Sequence, residues 1–141
     1  MKFTCSVCIN KPVNTVIEEF LNPESLKRSM KGFIKKELIS GELHATGAKS
    51  KLYYDKFEME ETILENNLPM FFYAQYDHTH MSNTMKTTFK PLSDNETQII
   101  TEIHYTIFKG FVIKIISKLF PNFFKKQTQK WLNEFKKYTE K

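Results

Sequence analysis

Glycine, proline and arginine are scarce in this chain of 141 residues, and long apolar runs are absent. Four glycines and five prolines exclude collagen-like and flexible-linker compositions. No segment approaches the roughly 18 consecutive apolar residues that a membrane-spanning helix needs. The most apolar stretch, residues 111–120, is interrupted by Lys114 and Lys118. The first five residues lack the apolar core and small-residue cleavage site of a signal peptide, so we expect a cytoplasmic protein.

The rest of the composition is that of an ordinary globular protein. Hydrophobic residues make up 40% and charged residues 26%, and this length suits one domain spanning residues 1–141. Aromatic residues reach 14%, including thirteen phenylalanines. Such a content predicts either a well-filled core or a cavity lined by aromatic rings.

The net charge of +5 comes almost entirely from lysine, since Arg28 is the only arginine. Proteins that read nucleic-acid sequence depend on the bidentate arginine fork, so we expect no specific nucleic-acid partner. The basic excess is concentrated in residues 109–141, where Glu134 and Glu140 are the only acids. This cluster of lysines indicates either the solvated face of a helix or attraction to acidic lipid or nucleic acid. We expect peripheral contact with a membrane at most. The oligomeric state is left open.

Cys5 and Cys8 form a C-x-x-C pair inside an alternating pattern that is typical of a strand. Residues three apart on a strand lie on opposite faces and about 10 Å apart, beyond the roughly 7 Å that a disulfide allows between Cα atoms. A zinc site would need a second pair of ligands. We therefore predict two free thiols.

Hydrophobic periodicity predicts one strand, two short helices, six further strands and a helical tail. The strands cover residues 2–10, 33–41, 49–55, 57–64, 70–78, 81–92 and 97–108. Pro12 suits the first position of a helix that Asn22-Pro23 stops, and a shorter helix opens at Pro23 and is ended by Gly32. Pro121 separates an apolar helix over 111–119 from a longer one with one apolar face.

This order predicts an α+β fold in which a curved antiparallel sheet wraps around the long C-terminal helix. The apolar face of the sheet must be covered, and only that helix is long enough to cover it. Where the two surfaces fail to meet, we expect an apolar cavity of several hundred Å³.

Several short segments resemble a known superfamily. They are Ile9-Asn10-Lys11-Pro12, Phe20-Leu21-Asn22-Pro23-Glu24, Gly47-Ala48-Lys49-Ser50-Lys51-Leu52, Met59-Glu60-Glu61-Thr62-Ile63 and the tail from Phe123 to Leu132. Together with the element order, they resemble the helix-grip fold of the START/Bet v 1-like superfamily, in particular its polyketide cyclase/dehydrase and lipid transport (SRPBCC) branch. The resemblance covers the whole chain and implies a cavity for a small hydrophobic molecule. It implies no particular activity, since members include binders, carriers and cyclases.

The candidate catalytic residues are Glu61 and His78. Alternation places Glu61 on the same face as Met59 and Ile63, where a desolvated carboxylate would suit a general base or a ligand anchor. The alternative is a Glu61 that is partly exposed or paired with a buried lysine. His78 lies in Asp77-His78-Thr79-His80, either exposed near a hairpin tip or at the mouth of the cavity. We expect no metal there, because no third ligand is evident.

The pattern of aromatic and neighbouring side chains predicts a set of ligand-binding residues. They are Tyr54, Met59, Glu61, Phe72, Tyr76, Met85, Tyr105, Phe124, Thr128 and Trp131. The alternative is that these side chains only fill the core. We expect a binding protein for a lipid, polyketide or isoprenoid-like molecule, without a cofactor. The alternatives are a cyclase or dehydratase acting on such a ligand, and a membrane-surface or partner-binding module using the lysine-rich C-terminal helix.

Overall fold

The computed structural model describes residues 1–141 and confirms the predicted series of elements. In chain order these are β1 (Lys2–Ile9), α1 (Val13–Leu21), α2 (Pro23–Ser29), β2 (Phe33–Ser40), β3 (Lys49–Tyr54), β4 (Glu58–Asn67), β5 (Phe71–Asp77), β6 (Met81–Ser93), β7 (Glu96–Phe108), α3 (Phe111–Leu119) and α4 (Phe123–Thr139). No helix is both long and apolar enough to cross a membrane.

All seven strands form one antiparallel sheet in the order β1-β7-β6-β5-β4-β3-β2. Strands β2 to β7 follow one another as a meander, and β1 closes the sheet beside β7. The main hydrophobic core joins the sheet to α1 and α4: Val16 of α1 and Leu132 and Phe135 of α4 pack with buried residues of β1, β4, β5, β6 and β7. The α+β architecture, with a C-terminal helix against an antiparallel sheet, is therefore as predicted.

The first two helices differ slightly from the predicted boundaries. Pro12 is the residue before α1, not its first residue, and its extended backbone leads the chain into the helix. Asn22 caps α2 by accepting a hydrogen bond from the N–H of Glu24 at 3.0 Å, with Pro23 in the first helical position. The helix ends at Ser29, short of Gly32.

A bulge in β2 determines which of its side chains face the helices. The pairing of β2 with β3 skips Ile34, so that this residue has no cross-strand partner. Strict alternation from the buried Phe33 would turn Lys35 inward. The extra residue advances the alternation by one position, so Lys36 faces the interior and Lys35 faces solvent.

Both cysteines are free, as the strand pattern of β1 predicts: Cys5 is buried and Cys8 is exposed. The Cys5 thiol donates to the carbonyl of Lys125 at 3.6 Å, which ties β1 to α4. Burial raises the pKa of the Cys5 thiol, with Lys125 opposing the shift.

We expect a thiol reagent to modify Cys8 in the native protein and Cys5 only after unfolding, because Cys5 is both inaccessible and poorly ionised. Ellman's reagent, applied with and without denaturant, measures the two rates. Cys8→Ser is the control that removes the fast phase. Equal native rates for the two thiols, or recovery of an intramolecular disulfide, would show that β1 does not separate them.

Candidate functional site

A cavity of about 360 Å³ lies between the inner face of the sheet and the helices α1, α2 and α4. Its wall is formed by 24 residues, of which 15 are hydrophobic. Such a volume fits a small organic molecule or part of a larger one. The predicted cavity of several hundred Å³ beside α4 is therefore present.

The structure places all ten predicted ligand-binding residues on this wall. From the sheet come Tyr54, Met59, Glu61, Phe72, Tyr76, Met85 and Tyr105, and from α4 come Phe124, Thr128 and Trp131. Phe72 and Phe124 are also almost fully buried, so they serve the core and the wall together. That the ten residues bind a ligand stays a prediction.

A row of polar side chains, one from each of five adjacent strands, runs across the inner face of the sheet. Ser50, Glu61, Tyr76, Asn83 and Tyr105 are successive cross-strand neighbours from β3 to β7. All of them except Ser50 line the cavity. Direct cross-strand neighbours on one face lie about 5 Å apart, so the row forms a continuous polar stripe between apolar walls.

Glu61 lies near the centre of this stripe with two partners. Its residue is only 4% exposed, and its Oε1 lies 2.7 Å from the ammonium nitrogen of Lys36. The Tyr76 hydroxyl donates to Oε2 at 2.7 Å. The Lys36 ammonium is close to Oε1 but is not angled for a hydrogen bond. Oε1 therefore has an ion-pair partner and no hydrogen-bond donor in the protein. Glu61 thus faces inward as predicted, and of the alternatives the structure selects a carboxylate paired with a buried lysine.

The pair changes the chemistry that Glu61 can perform. The Tyr76 hydroxyl occupies Oε2, and Oε1 has essentially no accessible surface, so a ligand proton has no open approach to either carboxylate oxygen. The charges of Lys36 and Glu61 make the stripe polar without giving the cavity a net charge. The arrangement can hold and orient a polar group of a ligand more readily than it can remove a proton from one.

The tyrosines of the cavity are neutral hydrogen-bonding groups. Burial, together with the negative charge of Glu61, raises the pKa of Tyr76 well above its ordinary value. The same two causes raise the pKa of Tyr54. Burial alone raises the pKa of Tyr105 to about 12. Each hydroxyl therefore keeps its proton at neutral pH and can donate it in a hydrogen bond.

Two histidines also lie on the wall, and both have lowered pKa values. Burial is the main cause at His44, and the positive charge of Lys36 adds to it. Burial, followed by the His80 imidazole, lowers the pKa of His78. Because the unfolded chain binds these protons more readily, their contribution to stability is present above the ordinary pKa of about 6.5 and is lost as the pH falls. Both imidazoles are neutral at pH 7.

His78 is half-buried on the cavity wall, beside an aromatic ring. The Phe57 ring meets its imidazole edge to face, with centroids 5.1 Å apart, and Phe57 stacks on Tyr54 at 4.5 Å. His80, in contrast, is exposed. His78 lies in the connection between β5 and β6 and lines the cavity as well, and its catalytic role stays a prediction. No three His, Cys, Asp or Glu side chains are grouped as a metal site would require.

Trp131 lines the cavity but keeps its polar atom out of it. Its indole Nε1 has essentially no accessible surface and no hydrogen-bond partner within the protein. An unsatisfied buried donor is costly, typically about 1–3 kcal/mol.

Sequence reasoning left five polar residues of the wall out of the predicted catalytic and ligand-binding sets: Asn22, Lys36, His44, Asn83 and Gln127. Asn83 and Gln127 could have been found, because Asn83 shares the alternation of Met81 and Met85 and Gln127 lies beside Thr128 on α4. Lys36 was hidden by the bulge in β2. His44 lies in an irregular loop with a positive φ of 65°, for which no periodicity exists. The helices α1 and α2 also contribute wall residues that were assigned to the core or left unassigned.

The comparisons with known proteins identify the fold. No protein-family model and no curated protein matches the sequence. Among solved structures, the ZhuI aromatase/cyclase from Streptomyces sp. R1128 is similar, with a TM-score of 0.76 and 10% identity over 99% of this chain and 93% of that chain. Ara h 8.0201 has a TM-score of 0.73 and 12% identity over 99% of this chain and 97% of that chain.

A third similar structure is truncated norcoclaurine synthase from Thalictrum flavum, with a TM-score of 0.68 and 13% identity over 98% of this chain and 92% of that chain. At such identities the likeness concerns the fold alone. The chain has the helix-grip fold of the START/Bet v 1-like superfamily, and the resemblance stated from its sequence is confirmed at that level.

Proposed function

We propose that this chain acts as one domain that binds a small amphipathic molecule in the cavity between the sheet and α4. The ligand has a largely apolar body and at least one polar oxygen, as lipids, polyketides and isoprenoid-like molecules do. A cytoplasmic location stays a prediction.

The observation that carries the proposal is the combination of an apolar wall with a polar stripe in one cavity. Burial of apolar ligand surface contributes about 25 cal/mol per Å², so the fifteen hydrophobic wall residues supply most of the affinity. The polar stripe supplies orientation.

The polar groups point to the kind of oxygen that the ligand carries. Lys36 and Tyr105 can both donate hydrogen bonds into the cavity, and Lys36 also carries a positive charge. Both groups favour a carbonyl, hydroxyl or carboxylate oxygen as the polar group of the ligand.

The proposal is tested by titrating the purified protein with anilinonaphthalene sulfonate, whose fluorescence rises in apolar surroundings. We expect saturable binding of one probe per chain. Naphthol should displace the probe about tenfold better than naphthalene, since one hydrogen bond to a buried donor contributes about 1.5 kcal/mol. Tyr105→Phe is the matched variant, which removes one hydroxyl of the polar stripe and should reduce that preference while leaving naphthalene binding unchanged. Probe binding that does not saturate would contradict the proposal.

The alternative function is a cyclase or dehydratase acting on such a ligand. Since Glu61 is held by Lys36 and Tyr76, the neutral imidazoles of His44 and His78 are the available bases. The fold similarity to an aromatase/cyclase is consistent with this alternative. Mass and NMR analysis of a polyketide-like ligand recovered from the protein separates the two functions. An unchanged mass together with an unchanged NMR spectrum supports binding, loss of one water supports a dehydratase, and a changed spectrum at unchanged mass supports a cyclase.

A further inference from the structure

Helix α3 lies on the surface with its apolar side chains exposed. None of its nine residues is buried, and it contributes nothing to the hydrophobic core. Phe111 is 80% exposed and Leu119 is 65% exposed. Exposed side chains of this size in a contiguous group are unusual on a protein surface and mark a contact with another apolar surface.

The exposed residues of α3 form one stripe, which lysines border. Phe111, Ile115 and Leu119 follow one another at intervals of four residues, which places them along one face of the helix. Lys114 and Lys118 repeat at the same interval beside them. The helix therefore exposes an apolar stripe with lysines beside it, while Ile113 and Ile116 are half-buried on its other side.

The chain on both sides of α3 is strongly basic. Residues 103–133 contain six lysines and no acid, and all six lysines are exposed. Since the whole chain has a net charge of +5, the remaining residues have a net charge of −1. The net positive charge of the protein thus lies in the segment that also exposes the apolar stripe.

This segment reaches the wall of the cavity. The chain enters α3 from Tyr105 and Phe108, whose rings are stacked at 5.4 Å, and leaves it toward Phe124. The ring centroids of Phe108 and Phe124 are 5.7 Å apart, so the chain before α3 packs against the chain after it. Tyr105 and Phe124 both line the cavity.

We propose that α3 docks the protein on the surface of an anionic lipid bilayer. The stripe of Phe111, Ile115 and Leu119 would enter the interfacial region, and the bordering lysines would meet anionic headgroups. An amphipathic helix with lysines beside an apolar face binds membranes in this way. A nucleic acid would use the lysines but would have no need of the apolar stripe. Membrane docking by α3 does not require a ligand in the cavity.

The test is cosedimentation of the full chain with vesicles of phosphatidylcholine, with or without phosphatidylserine. We expect binding only to the vesicles that contain phosphatidylserine, with weaker binding at high salt. Equal binding to both kinds of vesicle, or no binding to either, would overturn the proposal.

The apolar stripe is tested with the double variant Phe111→Ser/Leu119→Ser. Its partition onto the anionic vesicles should fall by about a hundredfold, roughly tenfold for each side chain. The matched control is Leu43→Ser/Met70→Ser, which removes two comparably exposed apolar side chains elsewhere and should bind as the original protein does. Similar losses in both variants would overturn the proposal. Unfolding curves show whether each variant is folded.

The lysines are tested with Lys114→Gln/Lys118→Gln. We expect the partition to fall by about 25-fold, about fivefold for each charge. The control is Lys56→Gln/Lys90→Gln, since these lysines are exposed and form no ion pair. The protein could instead bind an oligonucleotide and no vesicles. If that binding needs Lys114 and Lys118 but tolerates loss of the apolar stripe, the segment binds nucleic acid and the proposal is overturned. A dimer that depends on the stripe, again without vesicle binding, would also overturn it.

Discussion

Replacement of Lys36 by methionine should destabilise the protein by about 3–5 kcal/mol at neutral pH. The substitution keeps the length and apolar stem of the side chain but leaves the Glu61 carboxylate, which is only 4% exposed, without its counter-charge. An uncompensated buried charge costs more than the pair itself contributes. Urea unfolding of the two proteins measures the difference.

Lys35→Met is the matched control for this prediction. Lys35 is the chain neighbour of Lys36 and also forms an ion pair, with Glu37, but both partners of that pair are exposed. Water replaces the lost partner there, so we expect little change in stability. Equal losses in the two variants would contradict the inward placement of Lys36.

Two further measurements separate the lost counter-charge from lost packing. The deficit of Lys36→Met should shrink as the pH is lowered, because protonation of Glu61 removes the unpaired charge. The double variant Lys36→Met/Glu61→Gln should regain most of the stability, since the introduced glutamine is neutral and its amide oxygen can still accept from Tyr76. A deficit that neither acid nor the second substitution reduces would show that Lys36 acts through packing alone.

Replacement of Thr128 by tryptophan should abolish most ligand binding with little effect on the fold. Thr128 lies on α4 with its side chain on the cavity wall, so an indole ring there would occupy space that the ligand needs. A ligand that loses about 100 Å² of apolar contact, at about 25 cal/mol per Å², loses about 2.5 kcal/mol, which is about 70-fold in affinity. Probe titration of the two proteins measures the change.

The control for this second prediction is Lys126→Trp. Lys126 lies on the same helix but is exposed and does not line the cavity. Its replacement adds the same ring without filling the cavity, so the affinity should be unchanged. If Thr128→Trp binds the probe as tightly as Lys126→Trp does, the probe lies somewhere else.

The fold could be predicted because its signals are periodic. Alternation in β1 and β4 placed Cys5 and Glu61 inward, and the structure confirms both placements. The length and the apolar face of α4 also predicted that this helix covers the sheet. These patterns arise because side chains that face the core are mostly apolar and side chains that face water are mostly polar. The order of apolar and polar residues in the sequence therefore shows them.

Lys36 could not be predicted as the partner of Glu61, because the prediction depended on an unbroken alternation. A strand pattern gives the face of a residue only while the alternation holds, and the bulge at Ile34 breaks it just before Lys36. His44 depends on a loop conformation that no period describes. Hydrophobic periodicity also cannot separate a side chain that lines a cavity from one that fills the core, since both are shielded from water. Phe124 and Leu132 read alike on α4, yet only Phe124 lines the cavity.

The central claim is that the cavity holds a small, largely apolar molecule, and native mass spectrometry of protein purified from its own host tests it most directly. We predict an added mass that is released on denaturation and can be extracted into organic solvent. The same preparation of Thr128→Trp should lack it. If the original protein and Thr128→Trp give the same spectrum and the same extract, the cavity does not hold a ligand in the cell, which would contradict the account.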